Sequence, residues 1–332
     1  MYPRVLNSES FIMNKKFWLL FFASLMMVPF CNAQSYPSKP VRIIVPFAPG
    51  GSADGTIRPI AEKLTELLGQ SFVVENRPGG IATIGGSIVA KAEPDGHTLL
   101  VMPGTHVLTP KMMTSVPFHP FNDFTPIANM VFAPYVIVSA RNQGFNHLKD
   151  LVQFAGANPG KLSIGNSDVV TRLGAEMFSQ AANIQLGHIT YKGGGPVATD
   201  VLGGHLPLGL VTPVTIMGFY KDRKLDALAV TSPKRVSSLP DVPSVSEALG
   251  LSGFDSQTWF ALAGPAGMPR PVVERLSKAI GQALATPSIR DRLIAMGLEP
   301  AADTSPEGMA QLMKTFAQRN LALIDIAKIK PE

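Results

Sequence analysis

The chain has 332 residues, a formal net charge of +5 and one cysteine, Cys31. Its basic residues are scattered, which argues against the clustered cations and interleaved aromatics of a nucleic-acid-binding face. A single cysteine excludes an internal disulfide framework.

The N-terminus reads as a secretory signal peptide, residues 1–33. Met13-Asn-Lys-Lys16 is basic, and Phe17–Phe30 is an apolar run too short to span a bilayer comfortably. Cys31-Asn-Ala33 then supplies small residues before a cleavage site at Gln34. Met13 is an alternative start. A cysteine-free mature chain from Gln34 onward, located in the periplasm, is expected.

From there, β-rich apolar runs alternate with amphipathic stretches. The pattern predicts strands at Val41–Val45, Phe72–Val74, Thr98–Val101, Tyr135–Ser139, Leu186–Thr190, Leu206–Val211 and Ala227–Val230. Helices are predicted at Thr56–Leu68, Ile84–Lys91, Leu148–Ala157, Thr171–Asn183, Val197–Gly203, Val272–Ala285 and Pro306–Ile326. This alternation predicts an α/β fold with mostly parallel sheets. A loop-rich stretch, Pro117 to Pro126, precedes Tyr135, and a breaker-rich one, Gly264 to Pro269, follows Phe260. The chain is therefore expected to leave a first lobe near Val136 and return near Trp259. Lobe one would be 34–136 and 256–332, and lobe two 137–255.

Four glycine-containing loops join a strand to a helix or helical turn. They are Gly50-Gly-Ser-Ala-Asp54, Pro103-Gly-Thr-His106, Gly165-Asn-Ser-Asp168 and Lys192-Gly-Gly-Gly-Pro196. Each aims backbone N–H groups and a helix's positive end at one place, which suits an anion. In the first, Ser52 or Asp54 is expected to cap the helix. In the fourth, Pro196 suits the first helical position. Gly80 to Ser87 has phosphate-loop spacing but Gly86 where lysine is needed. The six histidines lack metal-ligand spacing. A hydrolytic triad of Ser52, Asp200 and a histidine has no second feature in its support. Arg172, early in a helix, fits either a solvated residue or a bidentate carboxylate anchor. Asp200 fits either a contact between loops or a contact to a ligand.

The chain resembles the substrate-binding proteins of tripartite tricarboxylate transporters, the Bug family. The resemblance rests on Tyr36-Pro-Ser-Lys-Pro40, Pro46-Phe-Ala-Pro-Gly-Gly-Ser-Ala-Asp54, Val74-Glu-Asn-Arg-Pro-Gly-Gly80 and Ala92-Glu-Pro-Asp-Gly-His-Thr-Leu-Leu100. Pro159-Gly-Lys-Leu162, Tyr191-Lys-Gly-Gly-Gly-Pro196, Asp200-Val-Leu-Gly-Gly204, Leu239-Pro-Asp-Val-Pro243 and Gly264-Pro-Ala-Gly267 follow in family order. It implies a type II periplasmic binding-protein fold, two lobes closing on a small carboxylate, a two-component membrane permease as partner, and no cofactor or metal. A monomer is expected.

The resemblance implies binding loops Phe47 to Asp54 and Gly165 to Thr171; with the residues singled out above, the expected binding residues are Phe47, Pro49, Gly50, Gly51, Ser52, Asp54, Thr105, Asn166, Ser167, Thr171, Arg172 and Asp200. The family often has Ser-His where this chain has Thr171-Arg172, and Phe-Asp-Asn where Val211-Thr-Pro213 stands here. Both changes favour an anionic ligand over an aminated one. A secreted two-lobed enzyme and a ligand-sensing adaptor are the competing functions, and the missing nucleophile and base argue against the former.

Overall fold

The computed structural model describes residues 36–326 apart from Lys192. The expected signal peptide and Cys31 lie outside the described residues. From Lys39 onward the chain folds as one unit containing two sheets.

The first sheet begins with β1 (Val41–Val45), β2 (Phe72–Asn76) and β3 (Thr98–Pro103), β1 pairing in parallel with both of the others. Helix α1 (Ser52–Leu68) joins β1 to β2, and α2 (Thr83–Ala90) precedes β3. The hydrophobic β1 is buried at four of its five positions, as expected of a strand covered on both faces. Strand β4 (Phe124–Pro134) completes the run before the chain changes sheets.

The second sheet holds β5 (Val136–Ala140), β6 (Ser163–Asn166), β7 (Gly187–Thr190), β8 (Leu208–Val211) and β9 (Leu225–Val230), in spatial order β7-β6-β8-β5-β9. Its helices include α3 (Leu148–Ala157), α4 (Val169–Ala181), α5 (Gly194–Leu202) and α6 (Pro213–Lys221). The chain then returns through β10 (Gln257–Pro265), α7 (Arg270–Ala285), α8 (Pro287–Ala295), the two-residue β11 (Glu299–Pro300) and α9 (Pro306–Ile326). The first sheet's order is β11-β4-β10-β3-β1-β2, with β10 antiparallel to both of its neighbours.

Strands β4, β6 and β10, and the two-residue β11, had no counterpart in the sequence reading. Pro126, Asn129 and Pro134 made β4 look like loop, but β4 pairs with β10 along its length and two register shifts absorb the irregularity. Strand β6 is only four residues long. Strand β10 runs past Trp259 to Pro265, so Trp259 lies inside a strand, packed edge-on against Phe316 of α9. Helix α5 begins at Gly194, which makes Pro196 its third residue, not its first. Neither Ser52 nor Asp54 caps α1; its N-cap is Gly51, without a side-chain cap.

Tyr135 alone separates β4 from β5, and Ser256 leads back into β10. Both crossings meet at the fully buried Thr231. Its N–H donates to the Tyr135 carbonyl at 2.9 Å, its hydroxyl accepts from the Tyr135 N–H at 2.9 Å, and its carbonyl accepts from the Ser256 N–H at 2.9 Å. Replacing Thr231 by the near-isosteric valine removes only the hydroxyl and leaves a buried N–H without an acceptor. Thr231→Val is expected to lower unfolding free energy by about 1–3 kcal/mol, measured by urea denaturation.

Candidate functional site

The carboxyl ends of β1, β3, β6, β7 and β8 open on one cavity of about 1030 Å³ between the two sheets. This is where open α/β sheets bind ligands.

The first wall is the loop from Phe47 to Ala53, which ends β1 and starts α1. A buried carboxylate holds it. Asp54 accepts from the Gly50 N–H at 3.0 Å, from Arg58 through both oxygens at 2.8 Å, and from the Asn76 amide at 2.9 Å. Asn76 also donates to the Phe47 carbonyl at 3.0 Å. Burial by itself would raise the Asp54 pKa. The hydrogen bonds from Arg58, Gly50 and Asn76, with the Arg58 charge, outweigh burial and hold it at about 2. Asp54 is therefore a brace behind the loop and does not line the cavity. The first-turn N–H groups of α1 point to the cavity end of the helix with no side-chain cap.

The second wall is the turn from Ser167 to Arg172. Here most donors are already engaged. The Thr171 hydroxyl accepts from the N–H groups of Ser167 (2.9 Å) and Asp168 (3.0 Å), while Asp168 caps the helix by accepting from the Thr171 N–H at 2.8 Å. Thr171 thus orders the turn and stays out of the cavity. What this wall does present is Arg172. Among the described residues its guanidinium has no ion-pair or hydrogen-bond partner, and it is the only cation lining the cavity. Behind it, His188 bonds Glu176 at 3.2 Å. Burial lowers the His188 pKa, Glu176 opposes this, and the Arg172 charge lowers it further.

Of the expected binding residues, the fold brings Phe47, Pro49, Gly51, Ser52, Thr105, Ser167 and Arg172 to the cavity wall. Gly50, Asp54, Asn166, Thr171 and Asp200 are not part of that wall. Asn166 is wholly buried at the end of β6. Asp200 accepts from the Tyr191 hydroxyl at 2.7 Å and so braces the loop after β7. Thr105 lines the cavity, but its hydroxyl is buried and has no hydrogen-bond partner among the described residues.

The sequence reading missed Ile81, Met112, Tyr135, Thr212, Thr258 and Phe260, which also line the cavity. Tyr135 is 4% exposed and its hydroxyl bonds Thr258; burial pushes its pKa well up, and Asp168 adds to this. Ile81, Tyr135 and Thr212 sit between regular elements, Met112 ends a four-residue helix, and Thr258 and Phe260 lie in β10. Among the described residues, no group of three or more His, Cys, Asp or Glu could hold a metal ion, and no helix is long and apolar enough to cross a membrane.

The brace has a pH signature. A depressed native pKa contributes stability that is present above the unfolded value near 4 and lost as pH falls towards 2. Asp54→Ala leaves three donors without their acceptor, so a loss of about 2–3 kcal/mol at pH 7 is expected. Denaturant titrations at pH 7, 4 and 2.5 should show the gap between parent and variant closing only below pH 4.

Comparison with known proteins places this arrangement. The TctC family, described as tripartite tricarboxylate transporter family receptor, matches residues 56–329. A relative from Pseudomonas sp. strain P51, a UPF0065 protein in the tcbD-tcbE intergenic region, is 35% identical over 87% of each chain. The structure of periplasmic binding protein BugD is 32% identical with a TM-score of 0.73, covering 90% of this chain and all of that one. A Rhodopseudomonas palustris protein solved with adipate is 28% identical with a TM-score of 0.77, covering 90% and 100% of the two chains. MatC from the same organism, solved with malate, is 27% identical with a TM-score of 0.72, covering 87% and 100%. The fold is that of the periplasmic binding proteins, two lobes around a ligand cleft, and the chain belongs to the tripartite tricarboxylate transporter receptor family.

Proposed function

We propose that this protein is a periplasmic receptor that captures a small carboxylate between two lobes, 34–136 with 256–332 and 137–255, and delivers it to a two-component membrane permease. The observation that carries the reading is Arg172, an unpaired cation in the wall of a cavity on which helix N-termini and strand ends converge. An unpaired guanidinium in a partly desolvated cleft is costly unless an anion completes it. Adipate and malate in the neighbouring structures support a carboxylate as that anion.

In this reading the ligand carboxylate takes hydrogen bonds from the uncapped first turn of α1, while Arg172 supplies the charge. Gly50, Asp54, Thr171, Asn166 and Asp200 serve the site indirectly, by holding its loops. Binding without turnover is the expected behaviour, because among the described residues the cavity wall contains no histidine and no hydroxyl paired with a base.

The test is calorimetric titration with ligands found by a thermal-shift screen of mono-, di- and tricarboxylates. Hydrogen bonds to a charged group contribute roughly 1.5–3 kcal/mol, so Arg172→Ala should weaken binding about ten- to hundredfold. Arg172→Lys should recover only part of the loss, since an ammonium lacks the planar fork. Unchanged affinity in Arg172→Ala would remove Arg172 from the site.

A further inference from the structure

The loop before α2 has an unusual backbone. Gly79, Gly80, Ile81 and Ala82 all have positive φ, at 125°, 56°, 48° and 72°. Glycine adopts such angles freely, but a β-branched residue in this region is an outlier and carries strain. The strain is held in place. Thr83 fastens the turn with its N–H and hydroxyl on the Gly80 carbonyl, at 2.9 and 2.6 Å. Helix α2 is pinned onto the first sheet: a Cβ on Gly85 would meet Pro46 at 2.9 Å, and one on Gly86 would meet Phe118 at 2.7 Å. What the strain achieves is positional, for Ile81 lines the ligand cavity. Strained residues that persist at a cleft point to a role there.

Ile81 joins an apolar part of the wall. Phe47 and Phe260 meet edge to face, ring centroids 6.5 Å apart, and Met112, Val169 and Val170 extend the surface. Against this stands little charge. Among the described residues, Arg172 and Asp168 are the only charged ones in the wall. A ligand with several carboxylates would find one cation, one competing anion and a large surface that cannot hydrogen-bond. A ligand with an apolar body would bury that body against the same surface.

We infer that Ile81 is a specificity-determining residue, and that with Phe47 and Phe260 it selects carboxylates carrying an apolar body over compact or highly charged ones. The inference rests on the receptor reading given above. Its physical basis is the burial of methylene groups, about fourfold in affinity for each one.

The test compares acids matched in charge by calorimetric titration of the purified protein, adipate against succinate and hexanoate against butyrate. Each pair differs by two methylenes, so the longer acid should bind tighter on the order of tenfold. Citrate should bind more weakly than adipate. Ile81→Gly and Ile81→Asn both accept a left-handed backbone, so neither should lower the melting temperature. Each should cut the preference within a pair to about threefold or less. Equal affinities within both pairs in the parent, or a full preference retained in both variants, would overturn the inference. Arg172→Ala separates the two readings. If it weakens all four acids alike, the receptor reading stands whatever Ile81 does. If no carboxylate binds the parent at all, both readings fall.

Discussion

One buried carboxylate sets the geometry on which the cleft depends. Asp54 sits 3% exposed at the start of α1 and is held charged by a guanidinium, an amide and a backbone N–H. A buried charge of this kind is tolerated only when every direction is answered, and that requirement fixes its partners as firmly as it fixes Asp54. Gly50 cannot leave without exposing one lone pair, and Asn76 ties in the Phe47 carbonyl. The result is a loop whose course is decided from behind, so that its front face is left for a ligand. The opposite wall uses a more local version of the device, the Thr171 hydroxyl and the Asp168 carboxylate each accepting from the other's backbone N–H.

The two walls belong to different sheets; the chain crosses out through Tyr135 alone and returns through residues 231–256. With the crossings tied at Thr231, any relative movement of the sheets pivots close to that residue. The back of the molecule adds further ties. Glu299 of the first sheet accepts from the Ser237 N–H at 2.9 Å, and Arg319 of α9 pairs with Asp255 at 3.3 Å. Leu173, one residue after Arg172, is packed in the same core as Trp259, Met313 and Phe316. Arg172 is thus rooted in apolar packing as well as in its own helix.

Much of this was legible in the sequence, for definable reasons. Two helices, Leu148–Ala157 and Pro306–Ile326, were read to the residue, while Ser52–Leu68 and Arg270–Ala285 were read with starts four and two residues late. Strand β1 was equally plain, because a buried parallel strand is a continuous apolar run. Strand β4 was not, since Pro126 and Asn129 mimic loop signals that only pairing with a distant strand overrides. At the site, sequence motifs led to loops that line the cavity but could not divide each loop into wall and brace. Asp54 and Thr171 carry groups suited to a ligand and use them on their own backbone. That division depends on where side chains find partners across 4 to 22 residues of separation. Ile81 gave no signal, for a left-handed isoleucine is visible only once the backbone is traced.

The placement of β10 bears on the order in which the molecule assembles. It lies between β3 and β4, bonded to both, yet it follows them by more than a hundred residues. A chain emerging from its N-terminus therefore makes β3 and β4 with a vacant slot between them. Two unpaired strand edges face that slot until the whole of the second sheet has been synthesised. Closing so long a loop before the central strand can dock makes the topology slow to complete. The interval exposes apolar edges that other chains could join. The same insertion that creates a two-walled cleft thus obliges the first sheet to wait for its middle.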